Sequence, residues 1–249
     1  MAYQNSPKIV TDGLVMCLDA ANSKSYPGTG TTWYDLTRYS NNGTINSGEF
    51  ATENGIGYLR NSGNTSNFFY ISVSDSASLS AAFSTTSGGW TIEEVIWTNS
   101  VNYPEADAGG VASVPAYGVG ATGFDWNHGI GNTSFKFGQS SSSSGGYEDD
   151  TTLTVNSPYN SLNAWRVRTM IWNRGSNANS LYINGTFISS ASTPNTAGTS
   201  VYDGGGIDFG TLYGWKHYGR RASIKIYNRV LISSEVLQNF NAIKARLNL

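Results

Sequence analysis

Two neighbouring glutamates are the first residues of this chain whose type and spacing suggest chemistry. Cleavage of a glycosidic bond needs two carboxyl groups that flank the bond on one face of the protein. Glu93 and Glu94 lie in the alternating segment W-T-I-E-E-V-I-W, and adjacent residues of a β-strand point to opposite sides. Neither has an acidic residue two or four positions away. We therefore expect no catalytic pair here, with one glutamate exposed and the other at a sheet margin or hydrogen-bonded within it.

Other catalytic residue types are sparse. Asp149 and Asp150 are again adjacent, in a predicted loop. His128 and His217 are the only histidines, no G-x-S-x-G motif occurs, and Cys17 lies in the apolar run G-L-V-M-C-L, which is typical of a small core residue. One cysteine and two distant histidines cannot supply the ligands of a zinc site. The sequence therefore predicts a protein that is not an enzyme.

Aromatic residues beside amide and hydroxyl groups suit sugar binding, because a pyranose offers an apolar face and a ring of hydroxyls. Two predicted loops have this character, F-D-W-N-H at Phe124–His128 and Y-G-W-K-H-Y-G at Tyr213–Gly219. The candidate sugar-binding residues are Trp126, His128, Trp215, His217 and Tyr218. The alternative is that these two tryptophans pack half-buried. The remaining ones, in or beside predicted strands, are expected in the core: Trp33, Trp90, Trp97, Trp165 and Trp172.

Acidic residues in loops also suit calcium, which takes scattered oxygen ligands. The candidate ligands are Asp125, Glu148, Asp149 and Asp150. The last three follow the tract at 140–146, which has too little apolar content to order itself and is predicted to be the most flexible region. Calcium is thus the one candidate cofactor, and solvated loop charge is the alternative.

The segment that best fixes the fold is S-L-Y-I-N-G-T-F-I-S-S. Asn184-Gly185 suits a two-residue type I′ turn, which needs positive φ at both positions. The turn sets Tyr182 opposite Phe187 and brings apolar side chains to both faces, so we expect the hairpin to be covered on both sides. A second hairpin-type turn is expected at Asn42-Gly43.

Other short apolar segments, separated by Gly, Asn, Ser and Pro, complete an all-β inventory. In A-S-I-K-I-Y-N, alternation predicts that Ala222, Ile224 and Ile226 share a buried face while Lys225 points away. The predicted strands besides the two hairpin arms are Gly13–Ala20, Gly57–Leu59, Phe68–Val73, Trp90–Trp97, Thr133–Phe137, Trp165–Asn173, Ile207–Tyr213 and Ala222–Asn228.

The end of the chain is helical instead. Apolar residues recur there at helical spacing, so one amphipathic helix over residues 233–247 is expected to lie on the sandwich. Ser233 suits the N-cap, Glu235 the positive end of the helix dipole, and Lys244 with Arg246 the negative end.

Composition favours a single domain with a neutral polar surface. Only 13% of the 249 residues are charged, about half the globular average, and the net charge of −2 gives no reason to expect nucleic acid. The first residues lack the features of a signal peptide, and no apolar run reaches membrane-spanning length. We therefore expect synthesis in a cytoplasm, an N-terminal arm over residues 1–12, and one domain over residues 13–249.

The order of these segments resembles the concanavalin A-like lectin/glucanase superfamily, and more narrowly the laminin-G-like domains of bacteriophage structural proteins. The resemblance rests on G-L-V-M-C-L-D-A-A-N, W-Y-D-L, N-N-G-T-I, W-R-V-R-T-M-I-W-N, L-Y-I-N-G and I-K-I-Y-N-R-V-L-I-S-S-E-V. It implies a jelly-roll sandwich of two antiparallel sheets with the terminal helix. It does not imply one function, since this sandwich serves lectins, hydrolases and assembly modules.

The resulting functional hypothesis is a non-enzymatic virion protein of a bacteriophage. It would be a lectin-like module of the capsid or tail that contacts other virion proteins and host-surface glycans. It would dock through the arm or through a face of the sandwich, and homo-oligomerisation is left open. A glycan hydrolase or depolymerase, with carboxylates that meet only in three dimensions, is one alternative. A purely mechanical decoration protein without ligand is the other.

Overall fold

The computed structural model describes residues 7–61, 69–83, 88–98, 108–112, 123–128, 134–140, 151–155, 158–159, 163–173, 175–176, 178–192, 206–212, 215–216 and 219–249. The strands within these ranges are β1 (Leu14–Asp19), β2 (Thr32–Trp33), β3 (Gly43–Asn46), β4 (Gly48–Glu53), β5 (Ile56–Asn61), β6 (Tyr70–Val73), β7 (Gly89–Thr98), β8 (Ala108–Ala112), β9 (Gly123–His128), β10 (Ser134–Ser140), β11 (Thr151–Thr154), β12 (Trp165–Asn173), β13 (Ala178–Ile183), β14 (Thr186–Ser192), β15 (Gly206–Phe209), β16 (Thr211–Leu212), β17 (Trp215–Lys216) and β18 (Gly219–Tyr227). The helices are α1 (Ala77–Phe83) and α2 (Ser233–Leu247).

The strands form two antiparallel sheets of eight strands each and one small hairpin, β16–β17. The first sheet has the order β14-β13-β12-β7-β18-β5-β4, and β1 pairs with β18 next to β5. The second has the order β11-β10-β9-β8-β15-β6-β3-β2. The predicted all-β sandwich of two antiparallel sheets with a C-terminal helix is confirmed.

The main core lies between the two sheets. Trp90 and Trp172 stack there with their ring centroids 6.5 Å apart, and Phe83 of α1 meets Trp90 edge-on at 5.4 Å. Residues of both sheets share this cluster, among them Met16, Ile71, Met170, Phe209 and Ile224. The sandwich interior therefore explains why these strands carry apolar residues at alternate positions.

Helix α2 adds a third layer on the outer face of the first sheet. Ile243 and Leu247 pack against Val95 and Val167, and Val236 packs against Tyr227. Both faces of the central strands of this sheet are thus buried, as is Lys225. Lys225 does lie on the face opposite Ile224 and Ile226, as predicted, but the helix covers that face, so the expected half-buried strand is wrong.

The Asn184-Gly185 hairpin forms as predicted, with φ of 53° and 75° at the two turn residues. Tyr182 pairs with Phe187, and their rings meet edge-on at 5.4 Å. A register shift follows at Leu181, and Phe187 in the edge strand β14 is 51% exposed. Coverage of both faces therefore holds for β13 but not for β14.

Several local predictions need correction. Asn42-Gly43 is not a hairpin turn, because Gly43 belongs to β3 and residues 34–42 form a longer loop. Ile232, not Ser233, occupies the N-cap position of α2, and Glu235 accepts a hydrogen bond from its N–H at 3.0 Å. Helix α1 was not predicted; the Ser76 hydroxyl accepts a hydrogen bond from the Leu79 N–H at its start.

Part of the predicted N-terminal arm is held against α2. The Gln238 side chain donates to the Lys8 carbonyl at 2.8 Å, and the Val10 N–H donates to the Asn239 side chain at 2.8 Å. Residues 1–6 lie outside the described residues, so the arm's role in docking stays a prediction. In the described ranges no helix is long and apolar enough to span a membrane.

Candidate functional site

Glu93 and Glu94 are both fully buried, on opposite faces of β7. Glu93 lies under α2, where the Lys225 ammonium is 2.8 Å from its carboxylate and the Asn239 amide donates to it at 3.1 Å. Burial pushes the pKa of Lys225 down, but the interactions with Glu93, together with smaller contributions from Cys17 and Asp19, leave that pKa above its usual value. The expectation that one of the two glutamates is exposed is therefore wrong for Glu93.

It is wrong for Glu94 as well. Its carboxylate lies on the sheet face towards the sandwich interior, where Arg168 donates a hydrogen bond to it and Arg221 lies 3.0 Å away. Both arginine side chains are themselves fully buried. Neither glutamate is open to a substrate, so both act as internal charge partners.

Cys17 is buried in β1, as predicted. Burial raises the pKa of its thiol to about 11, which keeps the thiol protonated at neutral pH. A protonated, inaccessible thiol is a poor nucleophile. The structure thus supports the interpretation of Cys17 as a core residue.

The outer face of the second sheet is the region best suited to a ligand. Along β3, β6 and β15 the residues of the inner face are buried in the core, whereas the alternate residues are half-buried or exposed. We define the polar face as these alternate residues: Thr44, Asn46, Tyr70, Ser72 and Asp208. An aromatic ring, an amide, two hydroxyls and a carboxylate therefore lie together on three adjacent strands.

Hydrogen bonds connect the polar face from strand to strand. The Asn46 amide donates to the Thr44 carbonyl at 3.1 Å and to the Ser72 hydroxyl oxygen at 3.4 Å. Ser72 in turn hydrogen-bonds the Asp208 side chain. Partial burial raises the pKa of Asp208, and the bond to Ser72 only partly offsets this. The direction of this shift reflects the partial removal of the Asp208 carboxyl from water.

A second carboxyl residue lies in register with Asp208, two strands away across the sheet. Asp208 pairs with Gly110 of β8, and Gly110 pairs with Asp125 of β9. Adjacent strands are about 4.8 Å apart, so the Cα atoms of Asp208 and Asp125 are separated by about 10 Å with only a glycine between them. Carboxyl groups of inverting glycosidases are about 6.5–9.5 Å apart. The backbone register therefore aligns two aspartate positions, Asp208 and Asp125, across three adjacent strands.

The predicted sugar-binding residues that the structure describes lie in strands and not in the expected loops. Phe124–His128 is part of β9, not a loop, and the backbone of Trp126 pairs with Gly109 of β8. Trp215 lies in β17, while His217 and Tyr218 are outside the described residues. The sugar-binding role of these residues stays a prediction.

The calcium prediction also stays open. Asp125 lies in β9, and Glu148, Asp149 and Asp150 belong to a tract, together with residues 141–146, that the structure does not describe. Within the described ranges no group of three or more His, Cys, Asp or Glu residues is arranged to hold a metal ion.

Sequence reasoning missed the polar face because its members come from three strands that together span more than 160 residues of the chain. Polar and apolar residues alternate in the segments of Thr44 with Asn46 and of Tyr70 with Ser72, so the sequence could have indicated two strands with one polar face each.

The sequence prediction also placed all the strand tryptophans in the core, whereas Trp97 and Trp165 are only half-buried. Arg220 lies over the ring of Trp97, 4.3 Å from its centroid.

No family model matches the chain, and no curated protein sequence matches it. Solved structures do resemble it. The binding domain of Paraclostridial Mosquitocidal Protein 1 superimposes with a TM-score of 0.62 at 19% identity, over 92% of this chain and 52% of that one. Trypanosoma rangeli sialidase in complex with sialic acid gives 0.64 at 15% identity, over 94% and 33%.

The binding domain of Botulinum Neurotoxin DC in complex with SialylT gives a TM-score of 0.60 at 14% identity, over 93% of this chain and 52% of that one. The chain thus spans about half the length of the toxin domains and a third of the sialidase. At these identities the likeness shows the fold alone, a β-sandwich of two antiparallel sheets.

Proposed function

We propose that the protein is a lectin-like module that binds glycans on its polar face. The observation that carries the proposal is the half-buried ring of Tyr70 beside the hydrogen-bonded series Asn46, Ser72 and Asp208. A ring offers a stacking surface for the apolar side of a pyranose, and the series offers donors and acceptors for its hydroxyls.

Two kinds of neighbour support this proposal. The toxin domain that resembles this chain was solved with SialylT, and the sialidase with sialic acid. Proteins that contain this fold have thus been solved with these ligands.

At a finer level, we propose that the module belongs to a bacteriophage particle and contributes to attachment to host glycans. The resemblance of its segments to phage laminin-G-like domains and its low charge content support this. Mass spectrometry of purified particles tests it: the protein is expected among the virion proteins, and its absence would contradict the virion assignment while leaving glycan binding intact.

A glycan array followed by titration calorimetry tests the polar face. Asp208→Asn keeps the shape but removes the charged acceptor, so we expect about a tenfold loss of affinity for the best glycan. Thr154→Ala on the edge strand β11, an exposed residue of the same sheet, is the matched control and should leave affinity unchanged. An array without binding, or equal affinities for Asp208→Asn and the parent, would refute the proposal.

Hydrolysis is a second candidate function, favoured by the row of Asp208, Gly110 and Asp125. The raised pKa of Asp208 suits a general acid, which must hold its proton until the leaving oxygen takes it. Release of reducing ends from host polysaccharide is then expected, and either Asp208→Asn or Asp125→Asn should reduce it more than a hundredfold. Binding without reducing-end release by the parent protein would exclude this candidate.

A further inference from the structure

A second surface lies at the side of the sandwich, on the loop between β2 and β3. We call residues Tyr34–Asn42 the tyrosine loop. It runs along the edge of β1 that faces away from β18. The Leu36 N–H donates to the Cys17 carbonyl at 2.9 Å, and the Cys17 N–H donates to the Asp35 carboxylate at 2.8 Å. The loop thus seals an edge of the first sheet that would otherwise expose backbone groups.

Side chains that point inward fix the shape of this loop. The Asp35 carboxylate accepts hydrogen bonds from the Thr37 hydroxyl at 2.6 Å and from the Asn41 N–H at 2.9 Å. The Asn41 amide donates to the Val15 carbonyl at 2.7 Å and to the Ser78 hydroxyl oxygen at 2.9 Å. The loop is therefore held to both β1 and α1, so the residues between these anchors have a defined position.

The residues between the anchors are displayed to solvent. Tyr34 is 47% exposed, and Leu36 and Tyr39 are each 38% exposed. Arg38 lies over the Tyr39 ring, 5.0 Å from its centroid, and donates to the Tyr39 hydroxyl oxygen at 3.1 Å. Among the ion pairs of the described residues none involves Arg38. Two rings, one apolar side chain and one cation without a carboxylate partner are thus presented together on a fixed loop.

We propose that the tyrosine loop binds a saccharide that carries a carboxylate. The guanidinium of Arg38 is positioned to receive the carboxylate, since arginine matches its two oxygens with parallel N–H donors. The ring faces of Tyr34 and Tyr39 and the side chain of Leu36 are positioned to cover the apolar side of the sugar. Because the rings and the loop are already ordered, little conformational entropy is lost on binding.

The small size of the surface favours a saccharide over a protein partner. A stable protein interface uses about 20–30 residues on each side, whereas the displayed part of the loop consists of four neighbouring side chains. The loop leads into β3 but shares no residue with the polar face, and its hydrogen bonds run to β1 of the first sheet. Each can therefore fail without the other.

Titration of the isotope-labelled protein followed by NMR of its backbone amides tests the proposal. The probes are methyl β-glucuronide, methyl β-glucoside, which lacks only the carboxylate, and acetate, which lacks the ring. We expect the glucuronide to shift the amide signals of residues 34–39 and to bind about fivefold more tightly than the glucoside, the size of one exposed charge pair. Acetate should bind more weakly than either saccharide.

Two variants locate the effect. Arg38→Gln should abolish the preference for the glucuronide while the glucoside affinity stays the same. Arg60→Gln is the matched control, because Arg60 is an exposed arginine that already pairs with Glu49 at 2.7 Å, and it should keep the preference. Both residues are on the surface, and a dispersed amide spectrum verifies folding.

Three results would overturn the proposal. Equal affinities for the glucuronide and the glucoside would remove the role of the carboxylate, and acetate binding as tightly as the glucuronide would remove the role of the rings. Amide signal shifts confined to the polar face would show that the glucuronide binds there and not at the tyrosine loop. Asp208→Asn distinguishes this proposal from the polar-face proposal, since it should leave binding at the loop unchanged.

Discussion

Each face of β7 carries one buried glutamate, and the two carboxylates are compensated by different partners. Glu93, under the helix, is compensated by one ammonium, Lys225, and by the neutral amide of Asn239. Glu94, between the sheets, has two guanidinium partners, Arg168 and Arg221. A buried carboxylate is tolerated only with such partners. The partners of each glutamate therefore show which structural elements that glutamate connects.

The elements joined are different. The Glu93 group reaches Asn239 of α2, and through it Val10 and Tyr227, so it fastens the helix and the N-terminal segment to the sheet. The Glu94 group links β7 with its two neighbours β12 and β18. Loss of the first should loosen a covering layer, whereas loss of the second should weaken the sheet itself.

The largest expected effect is at Glu94. Glu94→Ala deprives two buried guanidiniums of their common carboxylate, and arginine cannot become neutral by losing a proton. We expect the free energy of unfolding to fall by about 4–5 kcal/mol, measured by urea denaturation. Glu49→Ala, at an exposed ion pair with Arg60, is the control and should cost less than about 1 kcal/mol. Similar losses for the two variants would contradict the role given to Glu94.

Removal of the cation under the helix should cost less. Lys225→Met leaves Glu93 without its ammonium but with its hydrogen bond from Asn239, so we expect a loss of about 3 kcal/mol in the free energy of unfolding at neutral pH, measured by urea denaturation.

The double variant Glu93→Gln/Lys225→Met checks that prediction. It removes both charges, so its loss should be smaller than the sum of the two single losses by about 1.5–3 kcal/mol. Additive losses would show that the two residues are not coupled.

Asn239 should have an intermediate effect. Asn239→Ala removes its hydrogen bonds to Val10, Tyr227 and Glu93, at a cost of about 2 kcal/mol. Hydrogen exchange should then accelerate at the Val10 amide and in α2, while the amides of β12 remain protected. Uniform acceleration across the sheet would contradict the division between covering layer and sheet.

The smallest expected effect is at the start of α2. Two hydrogen bonds from Arg229, at 2.8 and 2.6 Å, together with the Ile232 N–H hold the pKa of Glu235 below its usual value. A lowered folded-state pKa means that the stabilisation is fully present above about pH 4.3 and is lost as the pH falls through the folded-state value. Glu235→Gln should therefore cost about 0.5–1 kcal/mol at neutral pH and very little at about pH 2, by urea denaturation. A cost independent of pH would contradict this.

Local sequence signals predicted much of the framework. Trp165–Asn173 is a strand over the predicted range, and Asn184-Gly185 closes the hairpin, because turn chemistry and alternation act over a few residues. The same signal at Asn54-Gly55, which closes the β4–β5 hairpin with φ of 51° and 80°, was readable and went unused.

What escaped prediction depends on contacts between distant segments. Glu93 can be buried because Lys225 and Asn239 bind its carboxylate. These partners lie 132 and 146 residues away in the chain, so alternation within β7 could not indicate them. The polar face likewise forms only when β15 pairs with β6. The tyrosine loop was read as a turn at Asn42-Gly43, since its shape comes from Asp35 and Asn41 binding backbone of β1 and not from turn residues.

In the tyrosine loop, the residues that the fold requires are different from the residues that would contact a ligand. Asp35, Thr37 and Asn41 secure the strand edge, while Tyr34, Leu36, Arg38 and Tyr39 contribute little to the core. Substitutions at the second set can therefore accumulate without loss of folding. Ligand preference is free to diverge among descendants of this chain faster than its architecture, and the same four positions are the natural ones to randomise in a binding library.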